Sequence, residues 1–306
     1  VFSALLEILQ SDRAPMAAAE PDALRIVRRG RDMELDMVSE PITDPAAHVR
    51  EPTTGYRIAR GFWGRPTADG AYVAHVIAPT EPGGIGRSHF VRVERDGTIG
   101  WRYTTFARAA RQVDYLDTML AEHDGGIVAL VSDGSLGADL SFFGVAADGT
   151  LLHGTDGVPV ASRLGFELDN RDDWVAVDGD GDGGLFVVLA GGAGGSVLAT
   201  HLLADGTVAF GPVEISTDSD LGYTELELVI ADQRGGFWWA QVGGEVAMLQ
   251  HVDAAGRPLF GRHVVICESD PCSPRFVSTY VLRDRPPLIS EPPWDLDLEG
   301  LALPLP

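Results

Sequence analysis

Residues 182–190 read Asp-Gly-Gly-Leu-Phe-Val-Val-Leu-Ala, a tight acidic turn that runs straight into an unbroken apolar stretch. The chain does the same at 68–76 (ADGAYVAHV), 123–131 (HDGGIVALV) and 234–242 (RGGFWWAQV). Counted from Gly70, Gly126, Gly184 and Gly236, successive copies lie 56, 58 and 52 residues apart. A second mark, a glycine turn before a short run, keeps step with the first: ERDGTIGW around Gly97, AADGTLLH around Gly149, LADGTVAF around Gly206 and DAAGRPLF around Gly256. Four residues after each of these glycines stand Trp101, His153, Phe210 and Phe260; five residues before them stand Arg92, Gly144, His201 and His251. A period of about fifty residues is the mark of a repeat architecture.

Each unit parses into four strands. In the third, Trp174–Val177, Leu185–Ala190, Val197–Leu203 and Thr207–Phe210 are rich in Val, Phe and Leu and bounded by turn residues. Asp-Gly favours hairpins because glycine takes positive φ without steric cost. Four-stranded units repeated radially are propeller blades. The expectation is an all-β fold, a β-propeller of five blades, with four or six as alternatives. Clear repeats cover residues 56–262, and residues 23–40 with 263–285 supply a closing blade that leaves no open sheet edge. Residues 1–22 are expected as a helix and linker, with Val1–Leu9 a short amphipathic helix. Residues 286–306 are expected as an extended proline-rich tail.

The two marks resemble the bacterial secreted β-propeller repeats, the SBBP-type or delta-60-type, with their paired motifs D-x-x-G-x-x-Y/V-V-x-G and V-x-x-x-D-x-x-G-x-x-x-W. Residues 68–101 carry the match best, in ADGAYVAHV and then HFVRVERDGTIGW. The resemblance implies a secreted or cell-surface protein, with a cytoplasmic one as the alternative, that acts as a binding, scaffolding or self-assembly module. It also implies that the loops at Pro79–Ser88, Thr104–Gln112, Ser132–Asp139, Asp156–Asp173 and Glu214–Leu221 gather on one face. Those loops carry Arg87, Arg108, Arg111, Arg163 and Arg171, candidates for an anion-binding patch. Ordinary charge balance on loops is the competing reading.

The formal net charge is −22, and all 23 basic residues are arginine. Such a field repels nucleic acid, which is set aside as a partner. No apolar run reaches the length of a membrane span. The partners left are a protein, a polysaccharide, or further copies of the chain in an oligomer or filament. The chain opens at Val1 rather than at Met, which fits a removed upstream segment.

Cys267 and Cys272, five positions apart with Pro271 between them, are a candidate loop disulfide; reduced thiols are the alternative. The run Asp178-Gly179-Asp180-Gly181-Asp182-Gly183 looks like a calcium loop, with Asp178, Asp180 and Asp182 as candidate ligands and calcium as the one cofactor. The twelfth position is Leu189 and the ninth Phe186, so neither an EF-hand nor an integrin-type loop is complete. A flexible acidic hairpin turn is the other reading. In the tail, Trp294, Leu296, Leu298, Leu301 and Leu303 alternate and suit a strand that packs on its own propeller or adds to a neighbour's sheet edge.

No nucleophile elbow, zinc-protease, Walker or Rossmann motif is present. No residue is therefore assigned to catalysis, and a non-catalytic module is the leading expectation. A hydrolase or lyase on a polysaccharide or small ester, with its site in the axial pocket, is one alternative. A calcium-stabilised propeller adhesin is the other.

Overall fold

The computed structural model describes residues 3–8, 24–29, 35–38, 40, 50–51, 55–56, 60–79, 86–108, 120–132, 140–155, 157–164, 174–190, 196–217, 224–232, 234–243, 246–261, 264–268, 289–291 and 294–296. They are almost all strand. Strands β1 (Ser3–Ile8), β2 (Leu24–Arg29) and β3 (Leu35–Val38) form an antiparallel sheet, and β4 (Arg50–Glu51) pairs with β5 (Gly55–Tyr56). Four antiparallel four-stranded sheets follow, each in sequence order. Sheet I is β6 (Arg60–Pro66), β7 (Tyr72–Pro79), β8 (Gly86–Val93) and β9 (Ile99–Arg108). Sheet II is β10 (Leu120–His123), β11 (Gly126–Ser132), β12 (Leu140–Val145) and β13 (Val158–Pro159). After the short helix α1 (Ala161–Leu164), sheet III is β14 (Trp174–Gly179), β15 (Leu185–Ala190), β16 (Val197–Leu202) and β17 (Val208–Ser216). Sheet IV is β18 (Thr224–Ala231), β19 (Phe237–Gly243), β20 (Val246–Val252) and β21 (Val264–Glu268). The strands β22 (Ile289–Glu291) and β23 (Trp294–Leu296) pair with each other.

The four repeats are thus four sheets, and the ends of the chain differ from expectation. Residues 3–8 are a strand, not a helix: Ser3 to Ile8 pair with Arg29 to Leu24, and the amides satisfied there cannot also make a helical ladder. The remnants assigned to a closing blade go to different sheets. Strands β2 and β3 pair with each other, whereas Val264–Glu268 is the fourth strand of sheet IV, with Val264 opposite Leu249. In sheets II and IV the run after the glycine turn makes a single bridge, Val145 to Leu151 and Val252 to Pro258, and the chain makes an excursion before strand four forms.

The chain divides into two compact units, Val1–Pro159 and Val160–Pro306. Within each, two sheets pack face to face. In the second unit Phe186, Val188 and Ile215 of sheet III meet Val229, Phe237, Trp239 and Met248 of sheet IV, with Phe186, Phe237 and Trp239 fully buried. In the first, Val73 and Phe90 of sheet I meet Ile127, Ala129, Phe143 and Val145 of sheet II. Along β19, Phe237 and Trp239 join the core shared with sheet III, while Trp238 and Ala240 join a second cluster with Ile230, Leu249 and Phe260. Successive residues face opposite sides of a strand. Both faces are buried here, which is why the run is apolar without alternation.

The first strands of paired sheets lie side by side, β6 beside β10 and β14 beside β18. Arg65 donates from Nε to the Leu120 carbonyl at 3.5 Å, and the Ala231 amide donates to Asp178 Oδ2 at 2.9 Å.

The recurrent glycine turns have a common chemistry. In the first three units an aspartate accepts the amide two residues on: Asp96 from Thr98 at 3.0 Å, Asp148 from Thr150 at 2.9 Å and Asp205 from Thr207 at 2.8 Å. The fourth unit lacks that aspartate but has Asp253 two places upstream, which accepts from Ala255 and from Arg257, both at 2.9 Å. Gly149 and Gly256 take φ of +88° and +77° and lie under an aromatic of the preceding sheet. A Cβ on Gly149 would sit 3.1 Å from Trp101, and one on Gly256 would sit 2.6 Å from Phe210.

Candidate functional site

Among the described residues, the side chains that carry acid–base chemistry form a repeated tether on the third strand of three of the four sheets. His201 on β16 places Nε2 2.8 Å from Asp180 Oδ2, on the turn between β14 and β15. His251 on β20 does the same with Asp232 Oδ2, also at 2.8 Å. Each imidazole packs on the aromatic directly across the ladder: His201 on Phe186 with centroids 4.4 Å apart, His251 on Trp238 at 4.2 Å and 13° from parallel. Both aspartates have their other oxygen occupied. Asp180 Oδ1 accepts the amides of Asp182 and Gly184, both at 2.8 Å, and Asp232 Oδ1 accepts those of Arg234 at 2.7 Å and Gly236 at 2.9 Å.

In sheet I the equivalent residue is Arg92, 5% exposed. Its Nη2 donates to Asp69 Oδ2 at 2.6 Å and its Nε to Glu94 Oε1 at 2.7 Å, while Nη1 donates to the Gly125 carbonyl of sheet II. Sheet II has Gly144 at this position, and its turn is held from both sides: Glu122 Oε1 of its own first strand accepts the Gly125 amide at 2.8 Å, and Arg92 of sheet I donates to the Gly125 carbonyl.

These contacts shift the acids they touch. Hydrogen bonds from Thr67, then Arg92, lower the Asp69 carboxyl from 3.8 to about 2. Burial pushes Asp180 up, but the hydrogen bonds from His201, Asp182 and Gly184 outweigh it and hold it below its ordinary value. Glu94 and then Asp69 keep the Arg92 guanidinium charged through hydrogen bonds against the cost of burial. His75 is different. It stacks on Phe90 with centroids 4.6 Å apart, its Nε2 is buried without a hydrogen-bond partner, and burial, with nearby His89, lowers it from 6.5 to about 4. His89 contacts Thr104 through Nδ1 at 3.0 Å, and His153 packs on Phe142 with centroids 4.6 Å apart.

The candidate calcium ligands do not converge. Asp178 Oδ2 is taken by the Ala231 amide, both oxygens of Asp180 are taken by His201 and two backbone amides, and Asp182 is exposed. Among the described residues no three acidic, histidine or cysteine side chains are grouped to hold a metal ion. The residues present do not fit calcium.

The arginine set also disperses. Arg163 on α1 donates Nη1 to the Gly206 carbonyl at 2.7 Å and so braces the turn of sheet III. Arg87 and Arg108 are cross-strand partners on β8 and β9. Arg111 and Arg171 lie outside the described residues. Cys267 is on β21, opposite Ala247, and Cys272 lies outside the described residues. In the tail Trp294 pairs with Glu291 and Leu296 with Ile289, so this stretch folds back as a hairpin instead of running extended; Leu298, Leu301 and Leu303 lie outside the described residues. Among the described residues no helix is long and apolar enough to cross a membrane.

The repeat position of His201 and His251 is visible in the sequence, but their aspartates are not obvious there. The signal is Asp180 and Asp232, each four residues before the first-mark glycine of its unit.

Fold and site together define an all-β repeat protein of four-stranded sheets whose acid–base side chains brace turns. No protein-family model matches the chain, and no curated protein matches it. Among solved structures it is similar to prolyl oligopeptidase B from Galerina marginata, at 9% identity and a TM-score of 0.42 over 86% of this chain and 32% of that one. It is similar to a Lactobacillus plantarum protein at 12% identity and a TM-score of 0.44, over 80% of this chain and 66% of that one. It is also similar to a polysaccharide lyase at 11% identity and a TM-score of 0.41, over 80% of this chain and 60% of that one. The chain thus spans about a third of the peptidase's length and less than two thirds of the lyase's.

Proposed function

We propose that the chain is a propeller-type module of the bacterial secreted or cell-surface kind, and that it binds a partner, a polysaccharide or a protein, without transforming it. What supports the propeller reading is the packing within each unit: sheets face to face, first strands side by side, and a fourth-strand or post-turn aromatic seated on the next sheet's glycine turn. The observation that carries the binding reading is the engagement of the acid–base groups. His201, His251, Asp180, Asp232 and Arg92 are each held by hydrogen bonds to turns of their own or the neighbouring sheet. A general base must reach a substrate proton, and groups already bonded to turns are poorly placed for it.

A second reading makes the chain part of a hydrolase or lyase, as the oligopeptidase and the polysaccharide lyase named above are. One experiment separates the two. The protein is titrated calorimetrically with a panel of neutral and acidic polysaccharides, and the same mixtures, with chromogenic esters added, are assayed for product. Binding without product is expected. Turnover that scales with protein and disappears on unfolding overturns the binding reading in favour of the second.

A further inference from the structure

Eight Asp-Gly pairs lie within the described residues. Such a pair can react with itself: the glycine amide nitrogen attacks the carboxyl carbon of the aspartate before it and closes a succinimide ring. Glycine has no Cβ to crowd the approach. The reaction is intramolecular, so it is decided by whether the two groups are free to meet. Seven of the eight pairs are held apart. At Asp69, Asp96, Asp148 and Asp205 the glycine amide donates to the carbonyl three residues back, at 2.8–3.0 Å, and the aspartate accepts an amide further on. Hydrogen bonds, led by those from Thr67, Thr98, Thr150 and Thr207, hold these four carboxyls below their ordinary value and so ionised, which makes them poor electrophiles. After Asp124, the Gly125 amide donates to Glu122 Oε1 at 2.8 Å. Asp178 Oδ2 accepts the Ala231 amide, and both oxygens of Asp180 are taken. Asp182 is left. Its side chain is exposed, and among the described residues neither its carboxylate nor the Gly183 amide has a hydrogen-bond partner. Asp180 Oδ1 accepts the amides on either side, those of Asp182 and Gly184, both at 2.8 Å, and passes over the one between them.

We propose that Asp182–Gly183 is a self-modification site, at which the folded chain forms a succinimide and then isoaspartate. The Gly183 nitrogen bonds to Cγ of the protonated Asp182 carboxyl; the Cγ–hydroxyl bond breaks, and the hydroxyl leaves with the amide proton as water. Water then adds back to one of the two ring carbonyls. Opening at Cγ restores aspartate, and opening at the main-chain carbonyl leaves the chain linked through the side chain. Gly183 is buried, at φ +91°. A buried N–H without a partner is costly, and ring closure consumes it. Isoaspartate puts one more carbon into the backbone between the two amides that Asp180 Oδ1 holds, so the modification acts on the turn that carries the tether to His201.

The test incubates the whole chain, its Asp182→Glu variant and an Asp96→Glu control at neutral pH and body temperature over days, folded and in guanidinium chloride. Digests are mapped by electron-transfer fragmentation, which separates isoaspartate from aspartate. The intact proteins are also offered to an isoaspartate-specific carboxyl methyltransferase with labelled S-adenosylmethionine. In the folded wild type, isoaspartate is expected at residue 182 ahead of the other seven pairs. Asp182→Glu, which would have to close a larger ring, is expected to lose most of the methyl acceptance, and Asp96→Glu to keep it. In guanidinium chloride the preference is expected to vanish, because unfolding frees all eight glycine amides. The proposal is overturned by a folded chain that forms no isoaspartate at residue 182 or forms it evenly across the eight pairs, or by an Asp182→Glu variant that accepts methyl groups as wild type does. A preference for residue 182 that persists in denaturant also overturns it, since the sequence and not the fold would then choose the site.

Discussion

His201 Nε2 and Asp180 Oδ2 meet at 2.8 Å, with side chains only 11% and 6% exposed, and His251 and Asp232 repeat the contact at 2.8 Å in the next sheet. A hydrogen bond to a charged group in such a place stabilises by about 1.5–3 kcal/mol, and removing one partner leaves the other buried and unsatisfied. His201→Ala and Asp180→Ala are each expected to destabilise by about 2 kcal/mol, and the double variant by much less than the sum. Urea denaturation of the four proteins measures this. Additive losses would mean that the pair does not interact.

Gly256 and Gly261 have similar positive φ, +77° and +68°, but different surroundings. A Cβ at Gly256 meets Phe210 at 2.6 Å, whereas one at Gly261 meets nothing within 4 Å. Alanine at either position costs about 1 kcal/mol of backbone strain. At Gly256 overpacking adds about 1–3 kcal/mol. Gly256→Ala is therefore expected to be the more destabilising in thermal melts, with partial recovery when Phe210 is also made Ala. Equal losses at the two glycines would show that the aromatic does not press on the turn.

The titrating groups give opposite ends of an acid profile. His75 has its folded value lowered to about 4 from 6.5, so it favours the folded state fully above about pH 6.5 and less as pH falls toward 4. Asp69 is lowered to about 2 from 3.8, so its stabilisation is present above 3.8 and is lost as pH falls toward 2. His75→Phe should flatten the upper limb of stability against pH, and Asp69→Asn the lower limb. Urea midpoints between pH 7 and pH 3 test both. A His75→Phe variant with the wild-type slope would mean that the imidazole is not buried neutral.

Trp239 is fully buried between sheets III and IV. Trp239→Ala is expected to cost about 3–5 kcal/mol. Denaturant unfolding reads it, and a loss below 1 kcal/mol would mean that the two sheets do not share this core.

Calcium should do nothing to stability, because two of the three carboxylates that would bind it, Asp178 and Asp180, are bonded to backbone amides and to His201. Equal melting midpoints in calcium and in chelator are expected. A ligand that prefers the folded state must raise the midpoint, so a calcium-dependent rise would restore the metal reading.

The middle of the chain was legible because its signals are local. An Asp-Gly turn before an apolar run forms a hairpin from a few neighbouring residues, and Leu185–Ala190 is a strand with the boundaries its composition suggests. The ends depended on distant pairing. The run Ser3–Ile8 is short and apolar, a pattern that fits helix or strand equally well, and its partner Leu24–Arg29 decides. In sequence the run at Pro258 comes first and fits the fourth strand, which leaves Val264–Glu268 for a closing blade; in the structure the Pro258 run makes only a bridge, and Val264–Glu268 is the fourth strand. The acidic turn shows the same limit at the level of the site. The alternation of Asp178, Asp180 and Asp182 is visible in sequence, yet the Ala231 amide on Asp178 and the His201 imidazole on Asp180 come from other strands. The shared register of His201 and His251 is visible in sequence, and the tether to Asp180 and Asp232 explains it.

The measurement that bears most directly on the account is denaturation and polysaccharide titration of the His201→Ala/His251→Ala double variant beside wild type. If these side chains brace turns, the variant unfolds at clearly lower denaturant and, where folded, binds as wild type does. A variant as stable as wild type that has lost binding or turnover would contradict the account, and would make the two histidines part of the working site.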